Sequence, residues 1–121
     1  DLTTQGTTER LIGNIVTASK EFGDIIGYEN HSGQTYFGDT ATPFAKVIKG
    51  AGNNATEGHE GARYNNVIGT YLHGSVLPKN PALADFFIST AVQRAYGEKL
   101  ATVIDDSLAK KARNIARSCP R

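Results

Sequence analysis

The sequence changes character at Asn80 and Pro81, and this change limits the possible folds more than any other feature. Before it, short apolar and β-branched runs alternate with glycine-rich and polar stretches, a pattern typical of strands and turns. After it, apolar residues recur every three or four positions until Gly97, as they do in an amphipathic helix. The sequence therefore predicts an α/β fold in which the strands come first and the helices last.

Four strands are expected in the first part of the chain. They are residues 11–16, 24–29, 44–48 and 66–72, and a hairpin connection at 18–23 joins the first two as an antiparallel pair. The last run is mostly apolar, which is usual for a strand buried on both faces of a parallel or mixed sheet. Residues 31–38, which mix loop formers with aromatic residues, and residues 50–61, which contain four glycines and the pair Asn53-Asn54, are expected to be loops.

Two helices are expected in the second part. Asn80 is a suitable N-cap, Pro81 suits the first helical position, and Gly97 is a natural stop. A last helix begins near residues 105–107. Its apolar face carries Leu108, Ala112 and Ile115, and its other face carries Lys110, Lys111, Arg113 and Arg117, ahead of Arg121. We expect this basic helix and tail, residues 98–121, to be a solvated surface, with docking of an acidic partner as the alternative.

The charge balance and the single cysteine exclude several classes of protein. The 121 residues carry 13 Lys and Arg against 12 Asp and Glu, whereas a dedicated nucleic-acid binder usually has a strongly basic face. No apolar run approaches the roughly 18 residues of a membrane span. Cys119 is the one cysteine and cannot form an internal disulfide, so we expect a reducing, cytoplasmic location. Because the chain begins at Asp1 and has no methionine, we also expect it to be a piece of something longer.

Three histidines are candidates for chemistry. His73 follows the 66–72 strand, and ligands gather outside the carboxyl ends of strands in α/β sheets. Its imidazole could act as a general base or could only hydrogen-bond the backbone, and its position favours neither. His31 could orient a substrate, although a turn braced by Asn and Ser side chains suits its surroundings at least as well. His59 is expected to be exposed in a loop.

The spacing of the polar residues indicates neither a metal site nor a phosphate site. The histidines and carboxylates lack the i, i+4 spacing and the short Cys/His spacing of zinc sites, so no metal is expected. Residues 50–54 resemble a phosphate loop but lack its third glycine, its lysine and the helix that follows. Cys119 stands near the chain end, where fraying would leave its thiol without a fixed base, so we do not expect it to be a nucleophile. If His73 is a catalytic base, its nucleophile is missing from this sequence.

Three motifs in order give the sequence a resemblance to a known family. They are residues 27–35 (Gly-Tyr-Glu-Asn-His-Ser-Gly-Gln-Thr), 49–54 (Lys-Gly-Ala-Gly-Asn-Asn) and 69–74 (Gly-Thr-Tyr-Leu-His-Gly), followed by Leu-Pro-Lys-Asn-Pro at 77–81. Together they closely resemble the cobyric-acid-synthase-like class I glutamine amidotransferases. The Glu-Asn-His and Leu-Pro-Lys-Asn stretches look most like the glutaminase subunits of lipid II isoglutaminyl synthases. The resemblance covers about residues 10–96 and only the carboxyl-terminal half of that family's domain.

The resemblance implies a fold and an activity. The fold is a flavodoxin-like, three-layer domain of which residues 1–121 are the carboxyl-terminal part, with an antiparallel strand pair and two closing helices. The activity is that of a glutaminase, in which a cysteine thiolate attacks glutamine and a histidine moves the proton. The ammonia would pass to a Mur-ligase-like partner, in a heterodimer, that uses ATP and Mg to amidate D-glutamate of the lipid II stem peptide. This chain would itself hold no cofactor, and without the upstream cysteine it is expected to be inactive.

By the same resemblance, four residues match positions of the family's site. His73 matches the catalytic histidine, and Arg10 looks like the arginine that would bind the α-carboxylate of glutamine as a planar fork. Asn30 and His31 match supporting positions. His73 is followed by Gly-Ser, whereas many class I glutaminases have Pro-Glu there. A carboxylate that orients His73 would therefore come from Glu29, from the missing half or from the partner, or else a dyad would suffice.

Two alternatives stay open at this level. The chain could belong to an amidotransferase for cobyric or cobyrinic acid, or it could be a non-enzymatic binding domain in which the motifs are structural. If the chain is half of a domain, its half of the sheet would leave apolar faces and an unpaired strand edge exposed. We therefore expect the chain to pair with its missing half or to dimerise.

Overall fold

Five strands and three helices follow one another in the computed structural model, which describes residues 1–101 and 103–120. The strands are β1 Leu2–Ser19, β2 Gly23–Phe37, β3 Thr42–Lys49, β4 His59–Tyr64 and β5 Val67–Gly69. The helices are α1 Val76–Lys79, α2 Pro81–Tyr96 and α3 Ser107–Ser118. Strands followed by helices, as predicted, are confirmed. The expected parallel or mixed pairing is wrong for the described residues, because all neighbours in the order β2-β1-β3-β4-β5 are antiparallel.

The hairpin of β1 and β2 is the longest part of the sheet. Ser19 pairs with Gly23 across the predicted connection, and the pairing continues to Leu2 and Phe37 with one shift in register. The prediction of a loop over residues 31–38 is therefore wrong. Threonines in the first part of β1 pair with this stretch, and β-branched residues favour strands even where glycine interrupts them.

The core lies between the inner face of the sheet and helix α2. Its buried members are Ile15, Ile25, Phe44, Ala45, Leu72 and Leu83. Leu83 comes from the first turn of α2 and is 2% exposed, so the amino end of this helix is anchored on the strands. Burying a side chain of this kind contributes about 1.5–3 kcal/mol. Gly97 ends α2 in a left-handed conformation, which confirms the predicted stop.

Residues 66–72 do not form a strand buried on both faces, contrary to prediction. β5 contains only Val67–Gly69 and lies at the edge of the sheet, where Val67 is 67% exposed. Asn65 and Asn66 make the tight turn before it, and Asn65 has a left-handed backbone with φ of 54°. The chain then crosses to the opposite edge of the curled sheet, so the later apolar residues of this run pack elsewhere.

The free edge of β2 is covered by the chain that follows β5. The N–H of His73 donates to the carbonyl of Tyr28 at 2.7 Å, and the N–H of Tyr28 donates back at 3.2 Å. Next along the edge, Asn80 Oδ1 accepts the N–H of Ile26 and Nδ2 donates to its carbonyl, both at 2.8 Å. The edge is therefore paired at these positions, contrary to expectation. Asn80 makes no side-chain cap on α2, because its amide takes the place of a neighbouring strand.

Helix α3 attaches to the same edge through two arginines. The Arg113 guanidinium donates to Asn80 Oδ1 at 2.9 Å and to the carbonyl of Asp24. Arg117 forms a salt bridge with the Asp24 carboxylate at 2.7 Å. Two of the basic residues expected to be solvated or to dock a partner therefore hold the helix on its own domain.

The rest of α3 is exposed. Its predicted apolar face does not pack, since Leu108 is 79% and Ile115 is 59% exposed. Asp105 accepts the N–H and the hydroxyl of Ser107 at the predicted start, and these bonds lower the pKa of Asp105. Arg121 of the expected basic tail lies outside the described residues. Among the described helices, none combines the length and the apolar character that crossing a membrane requires.

Candidate functional site

His73 combines a fixed backbone with an exposed side chain. It lies four residues beyond the end of β5, and not at the end of a buried strand as predicted. Gly74 and Ser75 follow with φ of 71° and 61°, which turns the chain sharply into α1. A positive φ is unusual for serine, so the surroundings hold this turn in place. The imidazole thus meets solvent from a rigid support, which suits a group that exchanges protons with a substrate.

Leu72 fixes the position just before His73. It is 5% exposed and packs directly on the backbone of Gly27 in β2. A Cβ atom at Gly27 would come within 2.8 Å of the Leu72 side chain, so the close approach requires a glycine here. The first glycine of the 27–35 motif therefore allows residues 70–73, the histidine segment, to pack against β2.

Tyr71 is held by a ring stack and a chain of hydroxyls. Its ring lies on that of His31, with centroids 3.8 Å apart and planes 9° from parallel. Its hydroxyl bonds Thr35 Oγ1 at 2.8 Å, and that oxygen bonds Thr4 Oγ1 at 2.7 Å. Two motifs that are distant in sequence therefore meet at this stack.

His31 lies in β2 and not in a turn, contrary to prediction. It is 8% exposed, and its Nδ1 bonds the Gly33 carbonyl at 2.7 Å, so a neutral ring carries its proton on Nδ1. Its Nε2 is buried and has no hydrogen-bond partner among the described residues. The contacts place His31 against Tyr71, and its supporting role at the site stays a prediction.

Arg10 and Asn30 lie side by side on β1 and β2. Arg10 Nε donates to Asn30 Oδ1 at 2.7 Å, and the Arg10 side chain is exposed. Asn30 is two residues along β2 from Tyr28, whose backbone pairs with His73. The structure thus brings Arg10 and Asn30 into contact. Both lie near Tyr28, the residue of β2 with which His73 pairs.

The glycine-rich loop is occupied by a side chain of the protein itself. Glu29 is fully buried, and its carboxylate accepts the N–H of Ala51 at 2.9 and 3.1 Å and that of Gly52 at 2.9 Å. These are the amides that a phosphate would use in a phosphate-binding loop. The three bonds give Glu29 a structural task, and none of them involves His73.

Glu60 lies beside the segment that leads to His73, although no motif in the sequence singles it out. It is 0% exposed, and its Oε1 accepts the Thr70 hydroxyl and the N–H of Tyr71, each at 2.8 Å. Its Oε2 has no hydrogen-bond partner among the described residues. Burial raises the pKa of Glu60 to about 7, and the negative charge of Glu29 adds to this effect. No motif marks Glu60, because the 50–61 stretch resembles a loop throughout.

His59 is half-buried at the start of β4, whereas it was expected to be exposed in a loop. Its ring meets the edge of Phe37 at a centroid distance of 5.7 Å. Its Nδ1 is buried and has no hydrogen-bond partner among the described residues. The contact with an aromatic ring indicates a packing role.

Cys119 follows α3 and is held more firmly than expected. Its carbonyl accepts a hydrogen bond from Lys49 Nζ at 3.1 Å, so this end of the chain is tied to β3. Its sulfur contacts the Ile115 carbonyl at 3.4 Å. That Cys119 is not a nucleophile stays a prediction.

Comparison with known proteins identifies relatives of most of this chain. The CobB/CobQ-like glutamine amidotransferase domain matches residues 1–81. The chain is 46% identical over 94 residues to "Lipid II isoglutaminyl synthase (glutamine-hydrolyzing) subunit GatD" of Staphylococcus aureus, covering 78% of this chain and 38% of that protein. The same subunit of Streptococcus pneumoniae is 38% identical over 95 residues, covering 78% and 36%. A "Probable cobyric acid synthase" of Methanothermobacter thermautotrophicus is 40% identical over 65 residues, covering 54% and 13%. The matched part is thus less than two fifths of each relative's length.

Proposed function

Because this chain belongs to the CobB/CobQ-like glutamine amidotransferase family, we propose that it supplies the histidine of a glutaminase that converts glutamine to glutamate and ammonia. The observation that carries the proposal is His73, an exposed imidazole on a backbone fixed by Tyr28. The chain is the carboxyl-terminal part of a flavodoxin-like, three-layer domain in this proposal. Its upstream part carries the nucleophilic cysteine, so residues 1–121 alone are inactive.

The proposed reaction runs through a thioester. His73 takes the proton of the cysteine thiol, and the thiolate attacks the side-chain amide carbon of glutamine. The carbon–nitrogen bond breaks as the imidazolium gives its proton to the leaving nitrogen, which departs as ammonia. Water, deprotonated by the same imidazole, then hydrolyses the thioester to glutamate and restores the thiol. An exposed imidazole can meet both the thiol and the water.

Arg10 holds the α-carboxylate of glutamine in this proposal. Its bond from Nε to Asn30 directs the guanidinium, since a planar fork with one nitrogen held has fewer orientations to lose when substrate binds. Asn30 therefore acts through Arg10, and His31 acts through Tyr71.

The proposed acceptor of ammonia is the D-glutamate carboxylate of the lipid II stem peptide, in peptidoglycan synthesis and hence in the maintenance of cell shape. The names of the two GatD relatives support this, because each is a subunit of a glutamine-hydrolysing lipid II isoglutaminyl synthase. A subunit of that kind needs a synthetase, and we propose a Mur-ligase-like partner in a cytoplasmic heterodimer. ATP and Mg would bind to that partner.

The second candidate is amidation of a corrinoid carboxylate. It is favoured by the identity of 40% over 65 residues to a cobyric acid synthase. A coupled assay that offers lipid II or a corrinoid acid as acceptor to the assembled enzyme distinguishes the two.

The test of the proposal uses the chain joined to the upstream segment that its relatives carry. His73→Ala should reduce glutamine hydrolysis by about a hundredfold or more, as expected when a general base is removed. His59→Asn is the matched control, because it changes a histidine that packs on Phe37, and it should keep most of the activity. If His73→Ala hydrolyses glutamine at the unmodified rate, His73 is not the base and the proposal fails.

A further inference from the structure

Residues 70–72, which lead from β5 to His73, do not pair with any of the described strands of the sheet. β5 ends at Gly69, and the next paired residue is His73 itself, on the opposite edge of the sheet. Residues 70–72 therefore need other partners for their backbone groups, because unpaired buried N–H groups are costly. The position of the imidazole depends on how these residues are held.

A single buried carboxyl group provides for two of the N–H groups in this segment. Glu60 Oε1 accepts the N–H of Tyr71 and the hydroxyl of Thr70, and that hydroxyl in turn accepts the N–H of Leu72 at 3.0 Å. The N–H of His73 is then taken by Tyr28. The N–H groups of Tyr71, Leu72 and His73 are thus all bonded. Those of Tyr71 and Leu72 depend on Glu60, the second through the Thr70 hydroxyl.

We propose that Glu60 is a positioning residue for His73, and this rests on the proposed role of His73 as the base. Glu60 fixes where the segment leaves β5, and the bridge to Tyr28 fixes where it ends. His73 lies at the second of these points, so the segment that leads to it sets where its imidazole can meet a thiol. General-base catalysis is sensitive to such placement, since a shift of about 1 Å can cost a hundredfold in rate.

The bonds of Glu60 extend beyond what the sheet requires. β4 and β5 already pair at three positions from Tyr64 to Ala62, so the hairpin does not depend on this carboxyl group. Both partners of Oε1 lie past the end of β5. A fully buried carboxyl group whose charged form is further disfavoured by the negative charge of Glu29 is also expensive to keep.

The experiment compares variants in the glutaminase that contains this chain and its upstream segment. Glu60→Leu removes the acceptor at similar volume and should lower kcat about ten- to a hundredfold with the KM for glutamine within about twofold. Glu60→Gln keeps an acceptor oxygen and should restore kcat to within about threefold of the unmodified enzyme. A general loss of structure would change KM and the melting temperature as well, so the split between kcat and KM identifies positioning.

A second pair of variants tests the same hydrogen bonds if Glu60→Leu does not fold. Thr70→Val removes the hydroxyl that links Glu60 to Leu72, whereas Thr70→Ser keeps it. Thr70→Val should lower kcat with KM unchanged, and Thr70→Ser should not. The proposal is overturned if folded Glu60→Leu has the unmodified kcat, or if Thr70→Val and Thr70→Ser behave alike. His73→Ala separates the two proposals, because activity retained there defeats the role of His73 itself.

Discussion

Two regions attach to the same edge of β2, and they do so in opposite ways. Residues 70–80 attach through buried groups: Asn80 is 4% exposed, and Leu72 packs on glycine. Helix α3 attaches through two arginines: Arg113 is half-buried against Asn80, but the Arg117 side chain is 56% exposed and Leu108 faces solvent. Breaking a buried hydrogen bond leaves a group unpaired away from water, whereas an exposed ion pair is replaced by water at little cost. The first region should therefore be rigid and the second weakly held.

The largest expected effect is that of Asn80→Ala, which would remove the amide that pairs with Ile26. Both the N–H and the carbonyl of Ile26 would be left buried without partners, so we expect a loss of about 3–5 kcal/mol in the free energy of unfolding. Urea denaturation measures this. Asn114→Ala, at an exposed asparagine on α3, is the control and should change it by less than about 0.5 kcal/mol. Similar losses in the two variants would remove the distinction between the regions.

The buried region should also make stability depend on pH through Glu60. Folding raises the pKa of Glu60 from 4.5 to about 7. Between these two pH values the folded state therefore keeps a proton that the unfolded state has released. The contribution of protonated Glu60 to the free energy of unfolding is therefore fully present below pH 4.5 and is lost as pH rises through 7. Between pH 5 and 8 the loss should be about 2.5 kcal/mol.

The Glu60→Gln variant isolates this contribution. Unfolding free energies of the protein and the variant at both pH values give a difference from which the other titrating groups cancel. Parallel curves for the two proteins would mean that Glu60 ionises in the folded state as it does in water.

A smaller effect is expected from Gly27→Ala. The added Cβ would meet the Leu72 side chain at 2.8 Å and push the histidine segment from β2, at a cost of about 2 kcal/mol. Thermal and urea unfolding measure the loss. Gly6→Ala is the matched control, because a Cβ there meets nothing within 4 Å and lies on the paired strand. If both substitutions are tolerated equally, the close approach is not a constraint.

The smallest effect is expected from Arg117→Ala on α3. Its ion pair with Asp24 is largely exposed, so the loss should be no more than about 0.5 kcal/mol and should vanish at high salt. Unfolding in low and high salt tests this. A loss as large as that of Asn80→Ala would show that α3 is held as firmly as the buried segment.

Local patterns predicted the elements whose causes are local. Pro81 and Gly97 bound α2, Asp105 precedes α3, and the tight hairpin connection ends at Gly23. Proline and glycine restrict or permit backbone angles wherever they stand, so their effect can be predicted without knowing the fold. The motif order likewise predicted the family, although the roles of His73, Arg10, Asn30 and His31 stay predictions.

The errors occurred where distant residues decide the outcome. Residues 31–37 are part of a strand because β1 pairs with them, and β4 forms by pairing with β3. The apolar run at 66–72 was divided between an exposed edge strand and a buried crossing segment. Hydrophobicity along the chain cannot distinguish these cases, because it does not say which neighbour covers a residue.

The sequence by itself determined α2, the start of α3, the hairpin turn and the histidine motif, since each follows from the preferences of adjacent residues, whereas α1 was not predicted. Only the tertiary structure decided that Asn80 completes an edge of β2, that Glu29 fills the glycine loop and that Glu60 holds the histidine segment. Each of these is a polar side chain bonded to backbone ten or more residues away. Such a bond forms because burial makes an unpaired group costly, and burial is a property of the assembled fold.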